Sequence, residues 1–192
     1  MNTIKKTPST FEIKNFPWKD KYQATPKTFI TLSYDDEGIN VHFVSYETAL
    51  RATETEHNTS VHKDSCMEIF MQYAADTDDR YINIEMNPNG AAYSAVSSGR
   101  ESSQRIDPSD IDTLNIKTEI FKDRWEIKLK IKAEYIKKYI PSYKHESGVH
   151  MRGNFYKCGD DTDHPHFGCF NNIEWAYPDF HRPEFFADFV LE

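Results

Sequence analysis

The chain has 192 residues, 38% of them hydrophobic, and a formal charge of −8 from 23 basic and 31 acidic side chains. That length allows one domain, or at most two small ones, with roughly 70% of the extended-chain surface removed on folding. An acidic balance without a long basic run argues against a nucleic-acid groove or an anionic membrane surface as the main partner. The 13 Phe, 11 Tyr and 3 Trp exclude a disordered chain and suit a β-rich domain faced with rings.

No stretch approaches the ~20 consecutive apolar residues that span a bilayer. The opening residues carry charges but no apolar run of secretory length, so the expected compartment is the cytoplasm. An extracellular protein that had lost its leader would read the same. Cys66, Cys158 and Cys169 are odd in number and lack paired spacing. They read as small buried hydrophobes rather than a disulfide framework.

In chain order, residues 29–34 and 39–46 flank the acidic turn Asp35-Asp36-Glu37-Gly38 and predict a hairpin. Residues 51–64 read as a surface loop. Residues 67–73 and 81–87 form a second strand pair, closed by Asn87-Pro88-Asn89-Gly90 and followed by a strand over 91–96. Residues 97–113 are Ser- and Asp-rich and read as another loop. The clearest alternation is at 124–132, where Trp125, Ile127, Leu129 and Ile131 oppose a charged face. Residues 116–121 pair with it across Lys122-Asp123. Residues 133–140, stopped by Pro141, give one short helix. Strands over 150–158 and 184–191 complete the set. The fold class expected is all-β: one domain over residues 1–192, a β-sandwich of two mainly antiparallel sheets. A closed barrel has the same periodicity.

Polar groups gather on the second strand pair. With Met67, Ile69, Met71 and Tyr73 inward, Glu68, Phe70 and Gln72 face outward; Tyr81, Asn83, Glu85 and Asn87 do so on the partner. Amides and carboxylates beside rings match sugar hydroxyls and C–H faces, although an ordinary solvated face has the same pattern. Arg152, Asn154 and Tyr156 alternate similarly. The tail from 158 to 184 gathers Asp, His and Cys, but without C-x-x-C or H-E-x-x-H it reads as an ordered loop before a transition-metal site. Its Asp160-Asp161-Thr162-Asp163 run offers oxygen ligands of the kind calcium takes, though in no EF-hand pattern.

The runs Asp64-Ser65-Cys66-Met67-Glu68-Ile69-Phe70 and Tyr81-Ile82-Asn83-Ile84-Glu85-Met86-Asn87 resemble the carbohydrate-binding family 9-like proteins. Gly153-Asn154-Phe155-Tyr156-Lys157-Cys158-Gly159-Asp160, His164-Pro165-His166-Phe167 and Pro178-Asp179-Phe180-His181-Arg182-Pro183-Glu184 extend the resemblance along nearly the whole chain. It implies a β-sandwich akin to the xylanase modules that hold glycan reducing ends between two rings and carry structural calcium. Glu68 falls at the position of the family's sugar-contacting glutamate. Val61 and His62 stand where a tryptophan is expected, and Phe170, with Trp175 beyond it, stands where another is expected.

The leading expectation is therefore non-catalytic binding of a sugar or oligosaccharide, in support of carbohydrate catabolism. Glu68, Asn83, Glu85, Arg152 and Asn154 would read hydroxyls, and Tyr81, Tyr156 or Trp175 would stack. A glycosidase acting on O-glycosyl bonds is the first alternative, and a metal-binding β-sandwich the second. Arg152 beside Glu68 and Glu85 is expected to lower their pKa values, which disfavours an acid catalyst.

Overall fold

The computed structural model describes residues 1–192. Its strands are β1 (Asn2–Ile4), β2 (Ser9–Ile13), β3 (Lys27–Tyr34), β4 (Gly38–Tyr46), β5 (Cys66–Gln72), β6 (Tyr81–Met86), β7 (Ala92–Ser97), β8 (Gln104–Arg105), β9 (Lys117–Ile120), β10 (Trp125–Lys132), β11 (His150–Cys158), β12 (Phe167–Cys169) and β13 (Ala187–Leu191). Helix α1 (Pro108–Asp112) precedes β9 and α2 (Ala133–Tyr139) follows β10. One sheet runs β1-β13-β11-β5-β6-β7-β8, with β12 also on β11; the other runs β2-β3-β4-β10-β9. Apart from the parallel β1–β13 contact, the named strands pair antiparallel. No helix is long and apolar enough to cross a membrane.

The two sheets remain separate, which makes this a sandwich and not a closed barrel. Trp125, Ile127 and Ile131 are wholly enclosed between them, and Leu129 nearly so. Their alternation places every second residue of β10 inward, against Phe43, Val41 and Ile39 of the adjoining β4. The expected hairpins form: β3 with β4 across Asp35–Gly38, β5 with β6, and β9 with β10. Gly90 takes φ +78°, the left-handed conformation that its turn needs. Residues 97–113 are more ordered than a surface loop, since they hold β8 and α1, the latter capped by Asp107 accepting from the Ser109 amide.

Met67, Ile69, Met71, Ile82, Ile84 and Met86 enter the inter-sheet core as the alternation requires. The opposite face departs from the solvated pattern, for every residue of β5 and β6 is buried. A second apolar cluster lies there, built on Phe70, Tyr81 and Tyr156 and roofed by Trp18, Phe180 and Phe186. Phe180 stacks on Tyr156 with centroids 4.1 Å apart and planes 7° from parallel. Trp18 donates Nε1–H to the Trp175 carbonyl at 2.8 Å, tying the N-terminal cover to the C-terminal one. Each ring so covered contributes on the order of 1.5–3 kcal/mol of burial. This second core anchors the loops that shape the site.

Candidate functional site

Three neighbouring strands, β11, β5 and β6, supply the base of a cleft on the outer face of the larger sheet. Glu68 and Phe70 rise from β5, Glu85 from β6 and Cys158 from the end of β11. Segment 58–62 closes one end of these strands. The Asn58 amide bonds the Ala92 carbonyl of β7 at 2.8 Å, while the His62 carbonyl accepts from Asp160, just past β11, at 3.2 Å. Tyr93, Arg100 and Arg105 stand on the β7–β8 side. Asp160, Phe167 and residues 178–181 stand on the β11–β12 side. The cleft has a volume of about 500 Å³, within the ~300–1,000 Å³ of small-ligand pockets.

Asp64 fixes the closing segment. Its buried carboxylate accepts from the Thr53 and Glu54 amides, Thr53 Oγ1 and Asn87 Nδ2, and pairs with Arg51. These donors hold its pKa below the ordinary value even though burial pushes the other way. With its lone pairs so occupied, Asp64 serves as a clamp between loop 51–64 and the β6–β7 turn.

Glu68 and Glu85 sit directly opposite one another on β5 and β6. Glu68 accepts from Cys158 Sγ at 3.0 Å and Glu85 from Asn83 Nδ2 at 2.9 Å. Both pKa values are raised, by burial first; for Glu85 the neighbouring Glu68 charge adds to it. Burial likewise pushes Asp160 up to about 6 and His181 down to about 4. The expectation of depressed carboxyl pKa values is thus reversed. Arg152 is turned away, donating to the Phe186 carbonyl at 3.1 Å and lying 3.6 Å from Asp188. Arg100 is engaged with Asp179 at 2.7 Å. Burial thus favours the neutral form of each acid, and each keeps lone pairs open to the cleft. Such a base can accept from hydroxyls, and a carboxyl that holds its proton can donate to an oxygen.

Of the residues expected from sequence, Glu68 and Glu85 line the cleft. Asn83 stands behind Glu85, orienting it. Tyr81 and Tyr156 are buried beneath the roof, their hydroxyls bonded to His181 Nδ1 and the Phe180 carbonyl, so neither ring lines the cleft. Asn154 is enclosed too, bonding the Asn171 backbone. Trp175 lies apart with the Arg182 guanidinium 3.3 Å above its ring. The rings that edge the cleft are Tyr93, Phe167, Phe180, Phe70 and His181. Phe170 packs instead into the inter-sheet core. Tyr93, Arg100 and Arg105 carry no local signal beyond lying on or near a short strand, and only the topology brings them here.

The acidic run Asp160–Asp163 spreads over several contacts. Asp161 reaches toward Lys63 at 3.6 Å, Asp160 enters the cleft, and Thr162 bonds the Gly159 carbonyl.

A β-sandwich with a loop-walled cleft on one sheet, acidic at its base and edged by rings, defines a small-ligand-binding module. The sequence pattern of carbohydrate-binding family 9 matches residues 3–191, and the chain belongs to that family. Among solved structures, a candidate carbohydrate-binding protein from Bacteroides uniformis is similar at 26% identity and TM-score 0.86, covering 96% of this chain and 86% of its own. A family 9 carbohydrate binding module from Caldicellulosiruptor kristjanssonii in complex with glucose aligns at 16% identity and TM-score 0.66, over 99% and 94% of the two chains. A cellotriose complex of such a module from the same organism aligns at 15% identity and TM-score 0.64, over 100% and 93%. No curated protein sequence matches the chain.

Proposed function

We propose that this protein binds a sugar, without cleaving it, in the cleft above Glu68 and Glu85. The observation that carries the reading is that carboxylate pair, buried at the base yet holding unfilled hydrogen-bonding sites toward the opening. Tyr93 and Phe167 offer rings at the edges, and Arg105 adds donors that no carboxylate engages. Family membership and the sugar-bound relatives support glucose and short β-glucans as first ligands. Calorimetric titration with glucose and cellotriose tests this. Glu68→Ala should weaken binding at least tenfold, about 1.4 kcal/mol, whereas Arg152→Ala and Trp175→Ala should bind as the parent does. Equal binding by the Glu68 variant and the parent would place the sugar elsewhere.

The raised carboxyl pKa values favour a second reading, glycoside hydrolysis. Cross-strand neighbours have Cβ atoms ~4.5–5.5 Å apart, near the ~5–5.5 Å carboxyl spacing of retaining glycosidases. Hydrolysis, however, needs the two carboxyls to flank the scissile bond. Glu68 and Glu85 rise from one sheet face and meet a ligand from the same side. Incubation with cellotriose should therefore release no reducing ends above background; release that vanishes in Glu68→Gln establishes the hydrolase instead.

A further inference from the structure

Beneath the cleft, Cys66 and Cys158 face one another across β5 and β11, in register. Their sulfurs and a Glu68 carboxylate oxygen all lie within 4.8 Å of one another. All three residues are buried, and Cys158 and Glu68 open onto the cleft while Cys66 lies behind them. We propose that Cys66, Cys158 and Glu68 form a binding site for one zinc-class divalent cation at the base of the cleft.

The chemistry of the donor set selects the ion. Two thiolates and one carboxylate suit a borderline-soft, four-coordinate cation, with Zn–S near 2.3 Å and Zn–O near 2.0–2.2 Å, all approximate. Calcium and magnesium, which take oxygen cages, are disfavoured by the two sulfurs. The strands already bring the donors close, because residues in register on adjoining strands share one face, as do positions i and i+2 on a single strand. Cys66 and Glu68 are such an i, i+2 pair. Closing from 4.8 Å to a tetrahedral set calls for side-chain rotation and leaves the strands in place. The fourth position points into the cleft, where Asp160 or water can complete it.

Two basic side chains near the site are already engaged. Lys157 spends its three protons on Glu47, His166 and the Cys158 carbonyl, at 2.9, 2.8 and 2.8 Å. Arg100 is held by Asp179. The two thiol protons, with that of Glu68 where the carboxyl holds one, pass to the buffer as the metal enters, and the ion's two positive charges balance the two thiolates. The remaining thiol, Cys169, lies outside this group and bonds toward the Asn15 carbonyl. The site shares Glu68 with the sugar reading but does not depend on it.

Anaerobic titration of the reduced, sugar-free protein with Co²⁺ tests the proposal. One equivalent should bring the near-ultraviolet thiolate-to-cobalt charge-transfer bands and the visible bands of tetrahedral cobalt, and Zn²⁺ should bleach both. Cys66→Ser and Cys158→Ser should each weaken cobalt binding at least tenfold and remove charge-transfer intensity. Glu68→Gln should weaken binding while keeping the thiolate bands, and Cys169→Ser should leave the spectrum unchanged. No charge-transfer band in the wild-type protein, a stoichiometry above one, or bands that survive both Cys66→Ser and Cys158→Ser would overturn the site. The wild-type spectrum decides the question even where a variant fails to fold. Failure here leaves sugar calorimetry unaffected, so the two proposals fall separately.

Discussion

Lys157 carries a charge with no exposed surface, on the inward side of β11, where Phe155 and Met151 are apolar. Its ammonium satisfies each of three protons, on Glu47, His166 and the Cys158 carbonyl, and lies 5.7 Å from the Trp125 ring centre. Trp125 Nε1 and Ser65 Oγ complete the Glu47 carboxylate. Burial alone would raise the Glu47 pKa, but the Lys157 charge beside it holds the group below its usual value. A buried pair of this kind is costly to break from one side, since the survivor keeps its charge without a partner. Lys157→Met should destabilise the fold by about 3–5 kcal/mol in urea titration. A loss under about 1 kcal/mol would show that Glu47 is free to take up a proton or water instead.

His166 and His181 give a pH dependence at the same scale. His166 accepts the Lys157 proton at Nε2, so its own proton sits on Nδ1, facing the His164 carbonyl at 2.8 Å. Burial, and after it the Lys157 charge, pushes His166 down to about 4; burial, then Arg100, does the same to His181. The unfolded chain binds these protons near 6.5 and the folded one only near 4. Their stabilisation is thus complete above 6.5 and is lost as pH falls toward 4. Asp160, raised to about 6 from 3.8, works in the opposite direction within that range. A comparison with His181→Gln isolates one contribution. The melting temperature of the wild type should gain on the variant as pH rises from 4 to 6.5. A constant difference across that range would contradict the buried neutral imidazole.

At the scale of elements, β10 is the strand whose sequence and structure agree most closely. Leu129 is buried at its centre among the inter-sheet hydrophobes, and Leu129→Ala should cost about 2–5 kcal/mol through lost transfer energy and a residual cavity. A denaturant midpoint implying less than about 0.5 kcal/mol would place the side chain at the surface. The strands that sequence misses are those with little pattern to read. β1, β8 and β12 have two or three residues each, and β2 keeps only Ile13 fully buried. The outer residues of β5 and β6 were legible as a polar face with rings, and Glu68 and Glu85 emerge from that. Their burial was not legible, because Trp18, Phe180 and Phe186 arrive from segments distant in the chain. Local alternation reports which residues share a face, and says nothing of what covers it.

For the whole molecule, the sandwich acts as a rigid platform and the loops make the site. Loop 51–64, pinned by Asp64, and the tail, pinned by Phe180 on Tyr156, hold the walls against one open sheet. The family resemblance was legible in the motifs, and the family match extends it over residues 3–191. The contribution of Arg105 and Tyr93 came only with the strand order β5-β6-β7-β8. Sugar binding at the Glu68–Glu85 cleft can be read residue by residue from amide chemical-shift mapping during cellotriose titration. Saturable shifts should cluster at residues 68, 85, 93, 105, 160 and 181, with Trp175 and Tyr177 unmoved. Shifts centred on Trp175 and Tyr177, or none at saturating cellotriose and glucose, would contradict it.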